Sequence, residues 1–417
     1  MKSISLQVSW RWILSFVPLL LWLNPLMSGR AVEFDEDVIQ QPTVLRIAGT
    51  HFLINDQEFR VRSVGLEPFM PGEMPPKPPT KLDYTNAVAQ IKALHANTVY
   101  MLTGDPSNLQ PAFFQRARAE GLYIILGLWF SGDADDFKGH TGDFQAPEFK
   151  EHVKSLIRNL VDRYHHMEDV DYSSQILYVS LGNEFQENAI RKTSTLHPNT
   201  HIYSGKYATI SSADPTECFL AEMTDYYKSY EAEHYKEIHY VSHHTWPVVS
   251  PKLVKNKFLD VISYNLYSYW PESVSGHKIS RASGTAYQGA LEELASQYPG
   301  KPFVVSEFGI SVAPKNVTSG TTEPGQATEI VARWKDIVSS SRYIAGGSVH
   351  ELYDQWWKDD NVGPVPPQDE NEHDPTDREE WFGLIEIGGT VDQPVFRLRP
   401  AFEALKNLWS LPDPVAP

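Results

Sequence analysis

From about residue 43 the chain alternates short runs rich in β-branched and aromatic residues with longer stretches whose apolar positions recur at helical spacing. Residues 44–47 and 51–54 read as a hairpin. Eight strand candidates follow, at 58–64, 98–102, 122–128, 176–181, 239–244, 261–264, 303–306 and 344–349. Helical pattern lies between them, as at 148–165, where Phe149, Val153, Leu156, Ile157, Leu160, Val161 and Tyr164 fall on one face. Further helices are expected at 84–95, 111–120, 215–237, 287–297, 326–339 and 401–409. Eight such alternations predict a (β/α)8 TIM barrel with a short N-terminal β-hairpin. The rival, a doubly wound open sheet, is weakened because no glycine-rich nucleotide-binding motif follows the first strand.

The first 31 residues break this pattern. Lys2 and Arg11 precede an apolar stretch from Trp12 to Met27, interrupted by Pro18 and Pro25, and Ser28, Gly29, Arg30 and Ala31 follow it. That order reads as an export signal, with an uncleaved N-terminal anchor as the alternative. The expected organisation is an export segment at 1–31, a linker at 32–42 and one catalytic barrel at 43–417. The expected location is periplasmic, extracellular or at the cell surface.

Composition narrows the partners. With 36 basic against 53 acidic residues the formal charge is −17, which repels polyphosphate and anionic lipid. Nucleic acid is therefore not expected as a partner, nor a membrane beyond the possible anchor, and the chain is expected to act as a monomer. The one cysteine, Cys218, allows no internal disulfide and no Cys-based zinc site. There is no H-E-x-x-H, and His165, His166, His234 and His239 lack ligand spacing, so neither metal nor cofactor is expected. The acid-rich stretch 359–380 lacks EF-type spacing and reads as a solvated rim loop. Asn316-Val317-Thr318 fits a glycosylation sequon. The 11 Trp and 20 Tyr exceed what core filling needs and point to aromatic platforms for a ligand.

In a barrel of this kind reactive groups gather where the strands end. The fourth strand runs through apolar residues into Gly182-Asn183-Glu184, and the seventh into Ser306-Glu307-Phe308-Gly309. An ionisable group closing an apolar strand is costly to bury unless it is paired or functional. Strands four and seven face each other across the mouth, which suits glycoside hydrolysis. One carboxyl donates a proton to the leaving oxygen while the other, ionised, meets the anomeric carbon.

At this point the sequence resembles the clan A retaining glycoside hydrolases, in a family two or family five variant, through those two motifs. Asn55 to Gly65 looks like the family's hairpin and first strand, and Ala96-Asn97-Thr98-Val99 like its second strand. The run from Gly346 to Lys358, Trp381-Phe382-Gly383-Leu384 and Arg399-Pro400-Ala401-Phe402 are similar to the end of the family two catalytic barrel. The resemblance implies Glu184 as general acid/base, Glu307 as nucleophile and Asn183 as a partner of the sugar 2-hydroxyl. It also implies a tyrosine beside the nucleophile, for which Tyr267 and then Tyr264 are the candidates.

The same resemblance assigns His244, rather than His243, to the mouth, and a tryptophan floor for the sugar to Trp356 and Trp357. Trp129, Trp246 and Trp270 stand at other strand ends and extend that set. Two departures are visible. Tyr100 stands near where the clan often has an arginine, and 32–42 is too short for the β-sandwich domains that usually precede a family two barrel. The expected activity is retaining hydrolysis of a β-linked glycan or oligosaccharide, with transglycosylation or non-catalytic glycan binding as alternatives. Specificity is expected from the loops at 67–80, 132–145 and 193–212.

Overall fold

The computed structural model describes residues 44–131, 142–246, 256–269, 284–314, 320–359 and 369–412. The export segment, the linker, the sequon at Asn316, Trp270 and most of the 132–145 loop lie outside the described residues.

Eight strands close a parallel barrel: β4 (Val61–Gly65), β5 (Thr98–Thr103), β6 (Tyr123–Leu128), β7 (Ile176–Asn183), β10 (Val241–Thr245), β11 (Ile262–Asn265), β12 (Phe303–Phe308) and β13 (Ile344–Val349). They are the eight expected from the sequence. Ahead of them β1 (Leu45–Ala48), β2 (His51–Ile54) and β3 (Gln57–Phe59) form an antiparallel sheet, so the expected hairpin gains a third strand. Arg60 separates β3 from β4. Two further antiparallel pairs were not foreseen, β8 (Ile202–Ser204) with β9 (Thr209–Ser211) and β14 (Ile385–Thr390) with β15 (Gln393–Leu398).

Eight helices are present among the described residues: α1 (Tyr84–Ala93), α2 (Pro111–Ala119), α3 (Pro147–His165), α4 (Glu187–Leu196), α5 (Pro215–His234), α6 (Ala286–Ser296), α7 (Glu323–Ser339) and α8 (Pro400–Trp409). Local chemistry sets their starts. Asp83 accepts from the amides of Thr85 and Asn86, and Asp214 with Glu217 builds a reciprocal capping box ahead of Pro215. On α3 the residues Phe149, Val153, Ile157, Leu160, Val161 and Tyr164 are buried against the barrel, as the periodicity predicts, while Leu156 is only partly covered. None of the described helices is long and apolar enough to cross a membrane.

Two cores result. The larger lies between strands and helices, and the smaller fills the barrel. Inside, composition changes along the barrel axis. The floor is apolar, with Val61, Leu177, Val261, Val304 and Ala345, and the N-terminal sheet contributes Phe52, whose ring stacks 6.2 Å from Tyr178. Hydroxyls come next, with Ser242 donating to Ser263 at 2.8 Å. Carboxyls crown the interior, which leaves the polar load at the strand C-termini.

The start of α8 is tied to the segment after the eighth strand by a buried ion pair. Arg399 meets both oxygens of Asp354 at 2.6 Å, and Asp354 also accepts from the amide of Gly383 at 3.0 Å. A Cβ at Gly383 would lie 2.4 Å from the Asp354 nitrogen, so the close approach requires glycine. The motifs around Gly383 and Arg399 are thus two halves of one fastening.

Candidate active site

Adjacent residues on a strand point to opposite faces, yet Asn183 and Glu184 both turn to the same partner. Gly182 (φ 76°) and Glu184 (φ 45°) are left-handed, and the register with β10 shifts between Ser242 and His244. A Cβ at Gly182 would sit 2.4 Å from the Phe185 ring, so only glycine permits the bend. The result converges on Asn265, whose side-chain nitrogen donates to Glu184 at 2.8 Å and lies 3.2 Å from the Asn183 oxygen. Ser306 donates to the Asn265 oxygen at 2.7 Å, fixing the amide's orientation.

Across the mouth, Glu307 is held at the end of β12 opposite Asn265 in register. The Tyr267 hydroxyl donates to its Oε2 at 2.7 Å. Burial, with Glu307 adding to it, keeps that phenol well above its ordinary range, so it stays a neutral donor. His350 Nδ1 lies 4.0 Å from the same oxygen, and burial followed by the charge of Lys358 keeps this imidazole neutral.

Removal from water raises the proton affinity of both glutamates. For Glu307 the charge of Glu184 is the next contribution, opposed by the Tyr267 bond and by Lys358. For Glu184 the Asn265 bond opposes the shift, Glu379 adds to it, and Lys358 again opposes. Because the two charges act on each other, their proton losses belong to the pair rather than to either residue.

Lys358 is the cation of this site. Its ammonium sits 2.9 Å from Glu67, 3.1 Å from Glu351 and 3.2 Å from His350 Nε2. Burial opposes the charge, but Glu351 and Glu67 outweigh it and keep the lysine protonated. It thus offers positive charge near the pair in a barrel whose second strand carries Tyr100 where an arginine was looked for.

The expected site residues are placed unevenly. Asn183, Glu184, Tyr267 and Glu307 come together in the mouth. His244 points into the barrel, where its Nδ1 meets the Tyr100 hydroxyl at 3.1 Å, while His243 turns outward to the Leu181 carbonyl and the Phe185 ring. Tyr264 does not join them. Strand alternation sends it outward, 3.4 Å from the Tyr298 hydroxyl and stacked on Phe303, and the inward position falls to Asn265.

Trp356 is likewise walled in rather than open to a sugar. Its indole N–H donates to the Ile387 carbonyl at 2.9 Å, and His373 stacks on it, itself sandwiched against Trp381 at 3.4 Å. The described part of the acid-rich stretch is partly wall and partly solvated: Asp377, Arg378 and Glu380 are buried and the Trp381 N–H donates to the Asp374 carbonyl at 2.6 Å, while Asn371, Glu372 and Thr376 are exposed. Trp357 keeps part of its surface and meets Phe69 edge-on, Trp246 is half-buried, and Trp129 is 38% exposed at the end of β6. Asn265, His350, Lys358, Glu67 and Glu351 were not singled out from sequence. Alternation along β11 was the one signal that pointed to any of them.

A second cluster brings together His165, Glu231 and His239, whose ligand atoms lie within 4.8 Å of one another. It belongs to the other end of the barrel, where helices finish and strands begin.

No family model matches the sequence, and no curated protein does. Among solved structures the chain is similar to a GH2 β-galacturonidase from Eisenbergiella tayi bound to galacturonate, at 16% identity and TM-score 0.61. It is also similar to the β-glucuronidase of Ruminococcus gnavus (15%, 0.59) and the β-D-glucuronidase of Dictyoglomus thermophilum (16%, 0.58). Each match covers 89% of this chain and 53% or 54% of the other, so the chain spans about half the length of those proteins. At this identity the likeness is one of fold, and at that level the resemblance to the family two barrel is met.

Proposed function

We propose that this chain is a retaining β-glycoside hydrolase, with Glu307 as nucleophile and Glu184 as general acid/base. The observation that carries the reading is the convergence of two desolvated carboxyls at the ends of strands four and seven, each with its own neutral hydrogen-bond donor. Tyr267 favours the ionised form of Glu307 without cancelling its charge. Glu184 is partly open to the mouth, where a departing oxygen can reach it.

In the first step a Glu307 oxygen bonds to the anomeric carbon as the glycosidic bond breaks and Glu184 protonates the departing oxygen. In the second, Glu184 takes a proton from water, the water oxygen bonds to the anomeric carbon, and the bond to Glu307 breaks. Asn183, held beside Asn265, is the partner of the sugar 2-hydroxyl in this reading. The groups named suffice for both steps.

The substrate we propose is a neutral β-linked glycan or oligosaccharide. The solved relatives above are named for uronides, whose carboxylate calls for a cation. Here Lys358 is already engaged by Glu67 and Glu351, and Glu379 adds negative charge towards Glu184. A panel of aryl β-glycosides tests this: turnover of a neutral glycoside with first-formed β-anomer by NMR is expected. Exclusive turnover of β-glucuronide or β-galacturonide overturns the substrate assignment, and an α-product overturns the mechanism.

The first 31 residues support export in the same reading, and trimming of that segment in the secreted protein, read by N-terminal sequencing, checks it.

A further inference from the structure

At the N-terminal end of the barrel, α3, α5 and the approach to β10 bury two imidazoles around one carboxylate. His165 sits in the last turn of α3, Glu231 in the last turn of α5, and His239 two residues before β10. His165 Nε2 lies 3.3 Å and His239 Nδ1 2.5 Å from the same oxygen, Glu231 Oε1. The outer nitrogens are held as well. His239 Nε2 faces the Ser173 carbonyl at 3.0 Å, and His165 Nδ1 faces Asp171 Oδ2 at 3.4 Å.

All four ring nitrogens therefore face oxygens that only accept. A neutral imidazole carries one N–H, so neither ring satisfies both of its partners when neutral. A dication between the rings and the carboxylate satisfies all of these contacts at once. With a dication each ring keeps its outer N–H, on a carbonyl or carboxylate, and turns its inner lone pair to the metal. That outer-sphere arrangement is the one metal-bound histidines adopt.

We propose that His165 Nε2, His239 Nδ1 and a Glu231 oxygen bind a divalent transition-metal ion of the zinc class, a structural site that ties α3, α5 and β10 together. The donor set of two imidazoles and one carboxylate suits zinc. With bonds of about 2.0–2.1 Å, tetrahedral ligand atoms stand roughly 3.3 Å apart. The His165–Glu231 spacing already has this value, and the His239–Glu231 pair opens by under about 1 Å on binding. The Tyr164 hydroxyl, which donates to Glu231 and lies 2.9 Å from the Tyr227 hydroxyl, steadies the carboxylate. Binding releases the two inner protons as the two metal–nitrogen bonds form, so charge is conserved. The inference is independent of the glycosidase reading.

The test uses the full chain stripped with a chelator and titrated with Zn2+ in two buffers of different ionisation enthalpy. About one equivalent bound with release of up to about two protons is expected. Co2+ in place of zinc is expected to give the visible absorption of a tetrahedral N/O site, and zinc to raise Tm by several degrees. His239→Ala and His165→Ala should each abolish the absorption and the Tm shift while leaving hydrolysis of an aryl β-glycoside unchanged. Should both variants fail to fold, the proton release and Co2+ spectrum of the unaltered chain still decide. No saturable binding up to on the order of 100 μM, or binding that survives His239→Ala and His165→Ala, overturns the proposal.

Discussion

Glu231 and Glu307 are buried glutamates at opposite ends of one barrel, and their surroundings treat the charge in opposite ways. Glu231 collects the Tyr164 hydroxyl, the backbone amide of His239 and the two imidazoles. Burial works to raise its proton affinity, but the bonds from His165 and His239 overcome it and hold the carboxyl far below the usual range. Glu307 has Tyr267 as its close donor and faces Glu184, so burial and like charge push it up. One end spends polar groups to fix a charge in the fold. The other leaves its charge with a single close donor and a like charge facing it.

The largest test of this contrast is Glu307→Gln. Turnover of an activated aryl β-glycoside should fall on the order of 10⁴-fold or more, read as kcat/KM. The same variant should be more stable than the parent at neutral pH. A carboxyl with a raised folded-state pKa contributes stability below its unfolded value and loses it as pH rises through the folded value. The Gln variant escapes that loss, so its Tm advantage, a few degrees at pH 8, should shrink towards pH 5.

Glu231→Gln should do the reverse, costing about 3–5 kcal/mol in denaturant unfolding while activity per folded molecule stays near the parent's. Because the Glu231 pKa is depressed, its contribution is present above the unfolded value and disappears as pH falls through the folded one. The two proteins should therefore converge in strong acid. Equal signs for the two Gln variants at pH 8 would break the contrast.

A smaller effect is expected from Tyr267→Phe, which removes the donor to Glu307 Oε2. A loss of about 10²-fold in kcat/KM should come with an upward move of the acid limb of the pH profile, since the anion loses its hydrogen bond. An unshifted limb would show that Tyr267 only packs. Smallest is Trp129→Ala: the exposed ring should change KM several-fold and leave Tm within about 1 °C, as expected of a surface platform.

Much of the barrel was legible because its signals are local. The eight strands and most helices follow from periodicity. The glutamates were legible because a charge at the end of an apolar strand is conspicuous. What escaped depends on chain segments far apart in sequence. Lys358 finds Glu67 and Glu351 through the closed barrel, and His165, Glu231 and His239 carry no motif spacing because each sits on a different segment. Trp356 misled for the same reason, since the His373 that covers it comes from the acid-rich stretch read as solvated. Tyr264 was a matter of strand parity: alternation along β11 turns it outward and gives the inward position to Asn265.

The central claim is that Glu307 forms a covalent bond to the sugar. A 2-deoxy-2-fluoro glycoside with a good leaving group, matched to an aryl glycoside found to be turned over, should slow the second step and accumulate the intermediate. Peptide mass spectrometry of the inactivated protein should find one fluorosugar, on Glu307. A stoichiometric label on any other residue, or inactivation-free turnover with inverted product, would contradict the account.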